Sequence, residues 1–511
     1  MASRPKSTGQ RPNIVILNPD QWRGDVLGHL GNPAAVTPNL DAMAASDSVS
    51  FRNAFCQNPI CTPSRCSFMT GWYPHTAGHR TQFHMLRSHE PNLLKVLKDS
   101  GYYVWWGGKN DLVPAQGPDP WSAHCHVKDK CGAVRKWMHH PDIYNPPRGE
   151  PGSDTYYSFY VGRLDPENPN TVFDWARGKD VDEGGVYRDQ DWGHVLNAIE
   201  FLRSGPPEPF CLFLSLGNPH PPYAVEEPYY SLIDRDALPP RVLPPEDLAA
   251  KPSVTRGLTR LSGLAGWTED RWNELRAVYY GMCARVDDQF GRVMTALQEK
   301  GLYNETAVFF FSDHGDFAGD YSLVQKCWNT FQDCLIRVPF VIKPPAGLGV
   351  RPGVREALVE LVDFPATAYD LASVDPGYTH FGRSLRPVLI GETEAHRDAV
   401  FSEGGCLASE GHGVSARDEE DRTDIYWPGQ YLARRMPEGT KAAVCRTDRY
   451  KYVRRLYEDD ELYDLRADPG ERVNRANDPS LAVVLANLKD RLTTWLIETG
   501  DVVPHDRDRR E

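Results

Sequence analysis

A chain of 511 residues with 40% hydrophobic and 25% charged side chains has the apolar material for a large core, which excludes a disordered or collagen-like protein. Lys and Arg number 57 against 70 Asp and Glu, and the net charge of −13 argues against bulk binding of nucleic acid or acidic membranes. No window approaches the roughly 18–20 uncharged apolar residues of a spanning helix, and the polar, basic start MASRPKSTGQRPN lacks the hydrophobic stretch of a secretory signal. The 11 cysteines are scattered through the chain and form no small disulfide framework, so a cytoplasmic protein with mostly reduced thiols is expected.

Residues 14–17 (IVIL) form a short apolar run that ends in Asn18-Pro-Asp-Gln21. Such a run reads as a buried parallel strand with polar residues at its C-terminal end. Residues 38–44 read as a short helix, and residues 91–100 and 272–300 carry the i, i+3, i+4 apolar spacing of helices. Residues 113–191, rich in Pro, Gly, His and aromatics, have weak periodicity and are predicted to be an inserted loop region. The apolar run at 210–216 leads into Gly217-Asn-Pro-His220, and that at 307–312 into Asp313-His-Gly315. In open α/β sheets ligands gather at strand ends, so a strand-tip active site is the economical reading. A second, smaller unit is expected from about residue 390, giving domains 1–390 and 391–511. In it residues 450–457 alternate, 458–461 turn and 462–465 follow as a strand. A last helix at 480–500 precedes a charged tail, HDRDRRE, that is expected to fray.

The strongest local signal is Cys61-Thr-Pro-Ser-Arg65 followed by Thr70-Gly71. Alone, Cys61 also reads as a buried thiol before a turn. Asp20 and Gln21 end one strand and Asp313 and His314 another; their oxygens suit Ca²⁺ or Mg²⁺, while the imidazole tilts the choice toward Mn²⁺. Alone, Asp20 is a cap after a strand, His314 a tip histidine bonded to backbone, His220 a loop histidine, and Lys109 and Lys326 solvated charges. His124-Cys-His126 with Cys131 is a weak zinc pattern, because its spacing is not that of a standard finger. His139-His140 and Trp105-Trp106 read as loop and packing residues.

These motifs, taken together, resemble the sulfatase family of the alkaline-phosphatase-like superfamily. The resemblance runs in family order through Asn13 to Gln21, Asn39-Leu-Asp41, the Cys61 motif with Tyr73-Pro-His75, Gly107-Gly-Lys109, Asn218-Pro-His220, Ser312-Asp-His-Gly315, Gln325-Lys326, Arg337-Val-Pro-Phe340 and Leu462-Tyr-Asp-Leu465. It implies an α/β fold with a large, mostly parallel central sheet flanked by helices, and a smaller C-terminal α+β domain with an antiparallel sheet.

It also implies that Cys61 is converted to formylglycine (3-oxoalanine) by a formylglycine-generating enzyme, a partner during maturation. The aldehyde hydrate would attack sulfur, expel the alcohol and leave a covalent sulfo-enzyme, from which its second hydroxyl eliminates sulfate. Asp20, Gln21, Asp313 and His314, with the Cys61 side chain, would surround one divalent ion, with Ca²⁺ favoured over Mn²⁺ or Mg²⁺. Arg65 would hold the nucleophile, Lys109 and Lys326 would bind sulfate and leaving-group oxygens, and His220 would protonate the leaving alkoxide. The implied substrate is a small-molecule sulfate ester of an alcohol, phenol or sugar.

This chain departs from the family at Asp111, where sulfatases commonly carry a histidine. Its carboxylate either takes over as the base for sulfate elimination or faces an amine on the substrate. Gln21 with His314 also occurs in phosphonate monoester hydrolases, the alternative reading, whereas Lys109 favours sulfate. A sulfatase-like binding protein without turnover is a third reading. Homo-oligomer formation is left open by the sequence.

Overall fold

The computed structural model describes residues 11–130, 161–164, 189–413 and 427–505. In chain order its strands are β1 (Asn13–Asn18), β2 (Val49–Phe55), β3 (Tyr103–Gly108), β4 (Val127–Lys128), β5 (Val161–Arg163), β6 (Phe210–Ser215), β7 (Tyr223–Val225), β8 (Thr306–Phe311), β9 (Arg337–Val338), β10 (Phe340–Lys343) and β11 (Gly353–Glu360). All but β5 and β7, which pair with each other, form one sheet in the order β11-β2-β10-β8-β1-β6-β3-β4, with β9 against β2. β1 runs parallel to β6 and β8, and β3 parallel to β6, so the three predicted apolar runs lie together and point the same way. β10 is antiparallel to β2 and β8, which leaves the sheet mostly rather than wholly parallel.

Every residue of β1, β6 and β8 is buried, which is why these strands read as continuous apolar runs instead of alternating. Val15 and Leu17 face a core shared with Val278, Val286 and Phe290 of the helix Glu269–Glu299. Ile14 and Ile16 face the opposite core, with Phe68, Phe309 and Phe364. Helices therefore cover both faces and leave only the strand ends open to chemistry. The predicted helices stand at Pro38–Ser46, Leu93–Asp99, Glu269–Glu299 and Ala482–Thr499. One helix, Gln190–Arg203, is absent from the sequence reading; it starts at the border of the predicted loop region and is capped by the Asp189 carboxylate on Trp192 N at 3.0 Å.

A second sheet of β12 (Val400–Gly404), β13 (Ala442–Arg446), β14 (Tyr450–Arg455) and β15 (Glu461–Asp464) is antiparallel throughout. Trp495 of the terminal helix stacks on Phe401 of β12, with ring centroids 4.7 Å apart, and meets Tyr73 edge-on at 4.9 Å. Glu403 of β12 accepts from His75 N at 2.9 Å and is paired with Arg80, so this sheet is bolted to the segment that follows the Cys61 helix.

The zinc pattern is partly accounted for. His124 Nδ1 lies 3.1 Å from Nδ2 of Asn92, the cap of the helix Leu93–Asp99, and His126 Nδ1 accepts from Val104 N of β3 at 3.1 Å, so each imidazole is engaged in packing contacts of its own. Cys131, His139 and His140 lie outside the described residues, as does most of the charged tail. Trp105 and Trp106 are buried in the two cores, as packing residues should be. No helix of the described residues is long and apolar enough to cross a membrane.

Candidate active site

The ends of β1, β6 and β8 are laced to one another before any site residue is placed. Asn18 Nδ2 donates to Phe311 O at 2.9 Å, Asp20 N to Asn218 O at 3.2 Å, and Trp22 N to Ser312 Oγ at 2.8 Å. Gln21 adopts a left-handed φ of 73°, a conformation uncommon outside glycine, and its N–H reaches Asp313 Oδ1 at 3.0 Å. Cys61 is the first residue of the helix Cys61–Thr70, which is buried along its whole length. Pro63 in the first turn needs no hydrogen-bond acceptor, and Thr62 N donates to Gln82 Oε1 at 3.0 Å.

These elements bring together Asp20, Cys61, Asp313 and His314, whose donor atoms all lie within 4.8 Å of one another and are fully buried. Cys61 Sγ is 3.2 Å from His314 Nε2 and 3.7 Å from Asp20 Oδ1. His314 Nδ1 is 3.0 Å from Gly315 O; a carbonyl can only accept, so Nδ1 carries a proton and Nε2 is the nitrogen turned to the cluster. Two carboxylates and one imidazole in a buried cradle fit a hard to borderline divalent cation. Gln21, the fifth expected ligand, turns its Oε1 to Lys326 Nζ and donates from Nε2 to Asp316.

Three cations converge on the same cluster. Arg65 donates from Nη1 to Ser215 Oγ at 2.6 Å and from Nη2 to Asp20 Oδ2 at 3.3 Å. Lys109 pairs with Asp20, stands 3.5 Å from Cys61 Sγ and lies 2.9 Å from Asp111 Oδ2. Lys326 holds Gln21. Burial and Asp20 push the Cys61 thiol up, but Lys109, Lys326 and His314 outweigh them and leave it below its ordinary range. Burial would likewise raise Asp20, yet Lys109, His220, Lys326 and Arg65 hold it well below the usual carboxylate range. His220 Nδ1 donates to Pro221 O at 2.7 Å. Burial, with Lys326 and Lys109 nearby, holds its imidazole well below the ordinary histidine range. Asp111 meets the site through Lys109 rather than through Cys61 itself.

Several supporting residues escape a reading of motifs. Buried Asp316 accepts from Tyr223 Oη at 2.8 Å and from Ala318 N at 2.6 Å as well as from Gln21. Tyr223 Oη in turn accepts from Gln325 N at 2.8 Å, next to Lys326. Asp191 accepts from Gly217 N, Asn218 N and Asn218 Nδ2, each at 2.8 Å, and so fixes the loop that carries His220. The Asp after Asp313-His-Gly315 is visible in the sequence; that Tyr223 and Asp191 reach these loops is not.

Residues 12–374 match the family model described as Sulfatase. The multifunctional alkaline phosphatase superfamily protein PehA of Trinickia caryophylli is 26% identical, over 96% of this chain and 96% of its own. An arylsulfatase of Clostridium perfringens is 28% identical over 77% of this chain and 81% of its own. The crystal structure of phosphonate monoester hydrolase of Agrobacterium radiobacter superposes with a TM-score of 0.73 at 25% identity, covering 96% of each chain.

Proposed function

The chain belongs to the sulfatase family of sulfuric ester hydrolases, with the alkaline-phosphatase-like fold, and on that premise we propose that it hydrolyses a small sulfate monoester with a formylglycine made from Cys61. The observation that carries this reading is the buried meeting of Cys61 with Asp20, Asp313 and His314 under the cations of Arg65, Lys109 and Lys326. The sulfur of Cys61 marks the place of the oxygen that the mature residue would present. A divalent cation held by Asp20, Asp313 and His314, with Ca²⁺ favoured, would supply Lewis-acid polarisation of that oxygen.

The chain's own residues do the rest. Arg65 orients the strand-end carboxylates and keeps a fixed positive charge beside the nucleophile. Lys109 and Lys326 bind the non-bridging sulfate oxygens, in a buried setting where fixed charge is worth far more than in water. His220 takes a second proton when the bound anion offsets those lysines, and gives it from Nε2 to the departing alkoxide. The ten described cysteines are all unpaired thiols, which supports maturation and action in the cytoplasm.

Phosphonate monoester or phosphodiester hydrolysis by the same nucleophile is the second reading, favoured by Gln21 and His314 and by the likeness to a phosphonate monoester hydrolase. Lys109 beside the sulfur favours sulfate. Rates on para-nitrophenyl sulfate, a para-nitrophenyl phosphonate monoester and bis-para-nitrophenyl phosphate, with Cys61→Ala as the blank, separate the two. Sulfate should be fastest and Cys61→Ala inert. The Cys61 peptide should have the mass of an aldehyde in place of a thiol; an unmodified peptide in fully active enzyme would refute the formylglycine.

A further inference from the structure

A carboxylate at the mouth of an anion-binding site works against that site unless it meets a positive charge. Asp20 and Asp313 are wholly buried and paired with Arg65. Asp111 is different: its side chain is 29% exposed, its Oδ2 lies on Lys109, and its Oδ1 makes no hydrogen bond among the described residues. There it weakens the pull of Lys109 on a sulfate group.

Its position is also imposed. Asp111 has a left-handed φ of 40°, costly for a residue with a Cβ. Asn110 enforces it, with Oδ1 accepting from Leu112 N at 3.3 Å and Val113 N at 3.2 Å while Nδ2 donates to Val113 O at 2.6 Å. Leu86 N then anchors the turn through Leu112 O at 2.9 Å. The strap that carries Leu86 is tied at Gln82 to Thr62, the neighbour of Cys61. Between these two anchors stands Phe83, a large apolar side chain left 55% exposed. A carboxylate and an exposed aromatic ring, carried on two segments joined by the Leu86–Leu112 hydrogen bond, are the two groups that attract an organic ammonium.

We infer that the preferred substrates are zwitterionic, the leaving alcohol or phenol bearing a cationic amine that Asp111 and Phe83 receive while Lys109 and Lys326 hold the sulfate. This deepens the sulfatase reading and rests on it. Hydrolysis takes up water, breaks the S–O ester bond and releases the amino alcohol, sulfate and a proton.

The test compares kcat/KM for para-(aminoethyl)phenyl sulfate and para-ethylphenyl sulfate, which differ in charge but little in leaving-group chemistry. The wild-type enzyme should favour the amine on the order of tenfold, mostly through KM, and the preference should shrink with added salt. Asp111→Asn should bring the ratio to about one, and Phe83→Ala should lower it partway. The salt dependence and Phe83→Ala keep the test alive if Asp111→Asn fails to fold. Equal wild-type rates on the two esters would overturn this inference and leave the sulfatase reading standing. An equal fall in kcat on both esters for Asp111→Asn would assign Asp111 to the base role instead. No turnover of either ester above Cys61→Ala would overturn both readings.

Discussion

Arg65 Nε donates to Asp313 Oδ2 at 2.9 Å across 248 residues of chain, and with its other nitrogens the guanidinium also holds Asp20 and Ser215. One side chain of the Cys61 helix thereby ties together the ends of β8, β1 and β6. Arg65→Met would leave Asp313 buried without its guanidinium and Asp20 with Lys109 alone, a change that costs about 3–5 kcal/mol. Arg65→Lys keeps the charge but not the planar fork, and should still lower kcat by about 100-fold. Denaturant melts and steady-state rates on both variants check this; full activity in Arg65→Lys would mean that charge alone suffices.

Tyr223 is expected to act on the substrate at one remove. Its hydroxyl spans Asp316 and Gln325 N, and Asp316 in turn orients the Gln21 amide against Lys326. Tyr223→Phe should raise KM about fivefold, the equivalent of one hydrogen bond, with a smaller effect on kcat. An unchanged KM would show that Gln21 and Lys326 hold their geometry unaided.

Acid should loosen the second sheet from the first. Burial tends to raise the Glu403 carboxyl, but Arg80 and His75 overcome it and hold it at about 2, below the ordinary 4.5. The unfolded chain therefore binds this proton first, so the stabilisation is complete above pH 4.5 and drains away as pH falls toward 2. Glu403→Gln should cost up to about 3 kcal/mol at neutral pH and flatten the acid limb of stability. Urea midpoints measured from neutral pH downward decide it; parallel acid limbs in wild type and variant would exclude this carboxyl as the source.

Removal of divalent cations should abolish turnover and lower the melting temperature, with Ca²⁺ restoring both and Mn²⁺ or Mg²⁺ less completely. A ligand at a hundredfold excess over its Kd stabilises by about 2.7 kcal/mol. Melting that is unmoved by a chelator would make the buried cluster a hydrogen-bonded network only.

The strand-tip site is legible in the sequence because a parallel sheet buried on both faces writes its strands as unbroken apolar runs, and each run here ends in its chemistry. The helix Gln190–Arg203 is not legible because its inward face carries Asp191 and His194 beside Trp192 and Val195, which blurs the apolar period. Those polar residues find partners far away, His194 on Asp129 at 2.6 Å and Asp191 on the loop after β6. The same holds for Tyr223 and Asp316, which no spacing rule connects. Asp111 is visible as a departure from a motif, but its link to Lys109 depends on a backbone turn that a string of letters does not display.

The adjacency of β8, β1, β6 and β3 separates two tasks that many enzymes entangle. Their tips are locked in register by the ladders between them, whereas Phe83 and Asp111 sit on a strap and a turn outside those ladders. Variation along the rim can therefore retune which alcohol is accepted while the reaction centre keeps its geometry. For an engineer, Phe83 and Asp111 are the place to begin a library, with Gln82 kept for its hold on Thr62.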